Sequence, residues 1–161
     1  MQDIFLYDLQ LQENNRHPML IKETAIAVEP SELNLRFPDH IASFMFKHFS
    51  MADLAEEHLY LLTMNTKCKP LGLFLIGKGT ADQCLVDPRT ILIRALLSGA
   101  TQFILIHNHP SGDPTPSNED VQSTKRVFAS AKLINIQLTD HIILGDYKYH
   151  SMCEKGEMDP L

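Results

Sequence analysis

Cysteine is scarce in this sequence, and so is positive charge. Cys68, Cys84 and Cys153 are an odd number at irregular spacing with no CxxC pair, which argues against a disulfide framework and a cysteine-built zinc cluster. They read as buried or incidental thiols in a reducing compartment. Fourteen lysines and arginines stand against 20 acidic residues, a formal charge of −6, and the basic residues are scattered. Non-specific affinity for nucleic acid comes from many basic side chains neutralising phosphates, so this balance argues against nucleic acid as a partner. No apolar run approaches the ~20 residues of a membrane span. The opening "MQDIFLYDLQ" carries acidic residues where a signal peptide has basic ones. A cytoplasmic chain without membrane attachment is expected. Internal repeats and low-complexity segments are absent too.

What is present suffices for one domain with a core: 161 residues, 44% hydrophobic and 21% charged. Residues 1–18 lack a stable period and contain "QENNRHP", which predicts an irregular arm. "MLIKETAIAV" (19–28) alternates as a leading strand. Residues 1–34 therefore form an N-terminal arm and strand, 35–155 the main domain, and 156–161 a polar tail. A helix opens at Pro38, with Ile41, Phe44, Met45 and His48 along one face. "HLYLLTM" (58–64) and "LGLFLIG" (71–77) predict a hairpin. "DPRTILIRALLSG" (87–99) has a capping aspartate, an N-terminal proline and an exit glycine, so it predicts a helix. "TQFILIH" (101–107) predicts a strand buried on both faces. A further helix begins near Ser117, with Val121, Thr124, Val127, Phe128 and Ala131 inward. "INIQL", "HIILG" and "YKYHSM" finish the chain as short strands. Interleaved helices and strands place the fold in the α/β or α+β class with a mixed sheet.

The chemistry concentrates in "LIHNHPSGDPTPSNED" (105–120). Residues i and i+2 of a strand share a face, so His107 and His109 can aim at one point at the strand's carboxyl end. Neutral imidazoles are good zinc ligands. Pro110, Gly112, Pro114 and Pro116 stiffen the loop that follows. Asp120, one turn after Ser117, can return a carboxylate over the histidines. Two histidines, an aspartate and an open position suit a catalytic rather than a structural zinc site. Ser117 and Asp120 equally suit a helix cap with an acidic residue near the positive end of the dipole. The two readings are compatible, and spacing alone leaves metal binding open.

The pattern H-x-H-P-x6-S-x2-D, here His107, His109, Pro110, Ser117 and Asp120, resembles the JAMM motif of JAB/MPN-type metallohydrolases. "HNHPSGDPTPSNEDV" is similar to the RadC-like branch in particular, as are "DHIILGD" (140–146) and "GT…VDPRTI" (79–91). The likeness covers roughly residues 35–155. It implies an MPN-type fold, a mixed sheet flanked by helices. It also implies one zinc held by His107, His109 and Asp120, with Ser117 helping to stabilise an oxyanion. Better-understood relatives cleave isopeptide or peptide bonds, so the implied substrate is a peptide or amide. The branch name suggests DNA repair, which the acidic charge does not support.

One departure concerns the proton carrier. The family pattern places a glutamate four residues before the glycine of the "GT" pair. With Gly79 and Thr80 as anchor, that position falls on Leu75, which cannot relay a proton. Residues 69–80 contain no carboxylate. Glu56 and Glu57, at the head of the preceding strand, are the carboxylates that could substitute in space. His141 has two readings, a satisfied buried histidine or one orienting a metal ligand. Lys78 and Arg89 either meet an anionic substrate group or lie solvated at the surface. His17, His40, His48, His58 and His150 read as structural. Three functions compete: a zinc-dependent amide hydrolase, an MPN-type binding or scaffold module with a protein partner, and a metal-dependent nuclease. The absence of H-x-E with P-C-x-x-C removes a deaminase.

Overall fold

In the computed structural model, which describes residues 2–79 and 86–158, short apolar runs become the strands of one mixed sheet. Thr80 and Cys84 lie outside the described residues. The elements run β1 (Gln2–Leu11), β2 (Pro18–Val28), α1 (Pro38–Phe49), β3 (His58–Met64), β4 (Pro70–Lys78), α2 (Pro88–Leu97), β5 (Gln102–Asn108), α3 (Asn118–Leu133), β6 (Gln137–Gly145) and β7 (Lys148–Ser151). The sheet order is β2-β1-β4-β3-β5-β6-β7. β3 is antiparallel to both β4 and β5, whereas β5 and β6 run parallel. This is the expected α/β architecture with a mixed sheet.

The two faces of the sheet carry separate cores. Tyr60, Leu62, Leu73, Ile104 and Ile106 pack under α1 through Ile41, Phe44 and Met45. Leu59, Leu61, Phe74, Phe103 and Leu105 pack under α2 and α3 through Ile91, Ala95, Val127 and Ala131. Side chains alternate between these cores along β3 and β5, as strand geometry requires. Both central strands are covered on both faces, which explains their continuous apolar runs. Each large side chain fully withdrawn from water contributes about 1.5–3 kcal/mol.

The helix signals hold. Pro38 opens α1, and Ser50 ends it in the left-handed conformation at φ 50°. Asp87 caps α2 by accepting from the backbone of Arg89 and Thr90. Gly99 follows at φ 69°.

Three expectations need correction. Residues 2–11 are not an irregular arm but a ten-residue strand between β2 and β4. Its apolar residues divide between both faces, which hides the period: Ile4 enters the α1-side core, while Tyr7 stacks on Phe74 at 5.8 Å. The polar "QENNRHP" is the hairpin turn, closed by Gln12 N–H donating to His17 O at 2.9 Å, with Arg16 at φ 59°. "INIQL" and "HIILG" do not form two strands. From Gln137 on they are one, because Thr139 donates to Phe103 O at 3.1 Å and Asp140 is buried with partners of its own. The polar tail expected from residue 156 is tied down within two residues. Met158 is buried in the core under α2 and α3, and His150 meets Glu157 at 2.7 Å.

Candidate metal centre

The parallel β5–β6 pairing is extended past the end of β5 by His109 N–H, which donates to Leu144 O at 2.8 Å. His109 thus keeps the alternation set by Leu105 and His107, and both imidazoles lie on the α2–α3 face. The chain then turns back, with Gly112 N–H donating to His109 O at 3.0 Å and Gly112 at φ +84°. Gly145 seats this turn: a Cβ there would lie 2.7 Å from the Gly112 carbonyl oxygen. The turn delivers the Asp113 carbonyl to His109 Nδ1 at 2.8 Å.

Helix α3 supplies the carboxylate. Ser117 caps it, its Oγ accepting from Asp120 N–H at 3.1 Å while Asp120 Oδ2 accepts from Ser117 N–H at 2.7 Å. This reciprocal capping box holds Asp120 at the sheet rim. Its Oδ1 lies 3.3 Å from His107 Nε2 and its Oδ2 3.3 Å from His109 Nε2. The two Nε2 atoms are 3.0 Å apart. His107, His109 and Asp120 offer donor atoms all within 4.8 Å of one another, and among the described residues they are the group that could hold a metal ion. His107 is buried and the other two are half-buried.

Electrostatics bind the three together. Burial works to raise the Asp120 carboxyl, but hydrogen bonds from His107 and His109 outweigh it and hold the group far below the carboxylate range. Burial likewise opposes charge on His109, yet Asp120, the Asp113 carbonyl and the Glu57 charge together raise its pKa above the ordinary value. Once the Nε2 protons are displaced, nitrogen and oxygen lone pairs would converge on one point and favour a cation there, and the donor set suits zinc.

Behind His107 sits His141, fully buried, its Nε2 2.8 Å from His107 Nδ1. The paired "DH" serves two purposes. His141 faces the site, while Asp140 accepts from Ser151 Oγ, Cys153 N–H and His141 N–H and ties down the chain after β7.

Leu75 is not the vacancy the sequence suggested. It pairs with Tyr60, a residue of the α1-side core, so it lies on the sheet face opposite His107, and it is 39% exposed. A second carboxylate on the histidine face of the sheet is Glu57. Leu59 pairs with His107, so two residues earlier the antiparallel register sets Glu57 across from His109 on the same face. Glu57 is buried at 7% exposure, and Gly79 N–H donates to its carbonyl at 2.8 Å. Glu56 is exposed. The signal available in the sequence was the two-residue step from Leu61 through Leu59 to Glu57. Using it required knowing that β3 pairs with β5.

The remaining sequence candidates stay outside the cluster. Lys78 is exposed at the end of β4, paired across the ladder with His58, and Arg89 is exposed in the first turn of α2. His48 packs on Phe44, and His17 and His40 take part in local turns.

Comparison with known proteins gives the family. Residues 35–157 match the RadC-like JAB domain. A UPF0758 protein of Bacillus pumilus is 43% identical over 122 residues, 76% of this chain and 54% of its own length. Another from Desulforamulus reducens is 39% identical over 133 residues, 81% of this chain and 58% of its own. The chain thus spans a little over half the length of these relatives. The chain belongs to the RadC-like JAB domain family.

Proposed function

We propose that this chain is a zinc-dependent hydrolase of amide bonds, acting on a peptide or protein substrate. The observation that carries the reading is the convergence of His107 Nε2, His109 Nε2 and the Asp120 carboxylate at the rim of the sheet, with buried Glu57 on the same face. Those three residues hold the metal. When bound, the ion supplies Lewis acidity and makes water a nucleophile near neutral pH. Glu57 accepts the proton of the attacking water at its carboxylate and returns it to the departing nitrogen. Ser117 Oγ donates to the developing oxyanion, which requires its hydroxyl to turn from Asp120 Oδ2, its 2.7 Å partner at rest. Asp120 Oδ2 keeps the Ser117 N–H throughout, so the helix cap survives that rotation.

The sequence sets leucine at position 75, where the family pattern has its proton carrier, and leaves activity in doubt. Buried Glu57 on the histidine face supports a base supplied from β3's end instead, and favours the hydrolase over a scaffold module. The acidic balance favours a protein over a nucleic acid substrate. The test is metal analysis of the purified chain followed by a screen of amide substrates. About one zinc per chain, lost in the His107→Ala/His109→Ala double variant together with hydrolysis, supports the reading. Equal zinc in both proteins overturns it.

A further inference from the structure

We propose that the cleft between the start of α1 and the chain after β7 is a second binding site. It takes a small organic ammonium, a primary amine on an apolar body of about ring size. The cavity holds about 350 Å³, near the lower end of the ~300–1,000 Å³ usual for ligand sites. It opens on the α1 face of the sheet where β5 begins, at Gln102 and Ile104. The histidines lie on the opposite face where β5 ends, so the two sites are separate.

The apolar end is built from core residues. Ile41, Met64 and Ile104 line the cavity and belong to the α1-side core. Phe37, just before α1, stands at the rim with 52% of its surface exposed and its ring centroid 5.7 Å from that of His40. An aromatic ring left in water beside an apolar cavity gains from a body that covers it, and its face attracts a cation.

Asp140 sets the polar end. It pairs with Ile104 in the β5–β6 ladder, so both side chains stand on the α1 face. Asp140 is buried at 6% exposure and lines the cavity. Its Oδ1 accepts from His141 N–H at 2.7 Å and Cys153 N–H at 3.0 Å, and its Oδ2 accepts from Ser151 Oγ at 2.6 Å. A carboxylate offers about four acceptor positions, which leaves one open on Oδ2. Glu154 on the same lining adds a second negative charge. Burial, and with it the Glu154 charge, pushes the Asp140 carboxyl above its ordinary value, so a positive group placed there relieves the cost of burying it. Arg36 also reaches the rim, but it is exposed and, among the described residues, pairs with neither carboxylate. An anion would meet two carboxylates, and a bare metal ion would leave the apolar floor uncovered. An ammonium on Asp140 Oδ2, with its body over Ile41, Met64 and Ile104, satisfies both ends.

The experiment uses the full, reduced chain with phenethylamine as the probe. Phenethyl alcohol is its uncharged counterpart, and ethylamine carries the charge without the ring. Cys68 lines the cavity half-buried, its Sγ 3.4 Å from Gln102 Nε2, so alkylation of that thiol, mapped by mass spectrometry, reads occupancy. ¹H–¹⁵N spectra read where the probe sits. The expected result is saturable protection of Cys68 by phenethylamine with a Kd on the order of 1 mM or below, the range open to so small a ligand. Shifts should centre on Ile104 and Asp140. The alcohol and ethylamine should each bind about tenfold more weakly, or worse, since each lacks one end of the match. Glu154→Gln and Phe37→Ala change exposed residues, so both should fold, and each should weaken the amine several-fold. Equal binding of the alcohol overturns the proposal, because the carboxylates would then go unread. So does a lack of saturable protection up to tens of millimolar, or shifts centred elsewhere. Unchanged affinity in both variants overturns it as well.

Discussion

Asn108 grips the main chain on both sides of Glu57. Its Nδ2 donates to Glu56 O at 3.1 Å, and its Oδ1 accepts from His58 N–H at 2.8 Å. With Gly79 N–H on the Glu57 carbonyl, the peptide units flanking this carboxylate are held before β3 begins. The residue between the two histidines thus fixes the backbone of the proposed proton carrier. Asn108→Ala leaves two main-chain groups without partners, each costing about 1–3 kcal/mol where water cannot reach. It should lower amide hydrolysis while zinc content stays near one per chain. Asn108→Asp keeps the acceptor for His58 N–H and should fall between the two. Metal analysis, thermal unfolding and hydrolysis rates on the three proteins check the order.

Zinc affinity should depend on pH through His109. In the metal-free chain, the raised His109 pKa and the depressed Asp120 pKa describe a pair that favours His109⁺ with Asp120⁻. His109 contributes stability that is fully present below its unfolded value of about 6.5 and is lost as pH rises through its raised value. Asp120 contributes stability present above about 3.9 and lost as pH falls. The metal-free protein should therefore gain from this pair between those limits. Zinc must displace the His109 proton, so apparent affinity should fall about tenfold per pH unit below the raised value. Titrations by competition at several pH values, run beside melts of the metal-free chain, test both signs. A pH-independent zinc affinity from pH 5 to 8 would falsify the coupling.

The His107, His109 and Asp120 cluster was legible in the sequence because its geometry is local. His107 and His109 share a strand face, and Ser117 with Asp120 share a helix turn, so spacing alone relates each pair. Glu57, His141 and Asn108 were not legible as partners because each meets the site across strands. His141 reaches His107 only through the parallel β5–β6 register, and Glu57 only through β3–β5. Anchoring the proton carrier to Gly79 failed for a related reason. β4 carries an irregularity where Leu59 pairs with Gly77 but Tyr60 with Leu75, and counting back from Gly79 takes no account of it. β1 was missed because two-faced burial erases the alternation that marks a strand.

Gly145 should be a sensitive position although it touches none of the proposed ligands. A Cβ there meets the Gly112 oxygen at 2.7 Å, its carbon at 2.8 Å and Pro114 N at 3.1 Å, all backbone atoms of the turn that carries Asp113. Gly145→Ala must push that turn outward, at a cost of about 1–3 kcal/mol for overpacking. Moving Asp113 O also removes the acceptor that orients His109, so zinc affinity should drop with stability. Gly99→Ala is the comparison, because nothing lies within 4 Å of its Cβ and only its φ of +69° resists the change. It should lose some stability with zinc affinity intact, as denaturant unfolding and chelator competition would report.

Leu75→Glu separates the two possible locations of the proton carrier. If the carboxylate belonged on β4 at that position, the substitution would raise amide hydrolysis, since general acid–base catalysis typically contributes 10²–10⁴-fold. Leu75 shares its sheet face with Tyr60, away from His107, and is exposed enough to take a charge at little cost in stability. Leu75→Glu should therefore leave both hydrolysis and zinc content near the wild-type level. Glu57→Gln keeps the shape of the side chain and removes its basicity, so it should lower the rate by about that 10²–10⁴-fold factor with zinc retained. Combining the changes gives the sharper measurement: a carboxylate at Leu75 should not rescue Glu57→Gln, because the sheet itself stands between that residue and the histidines.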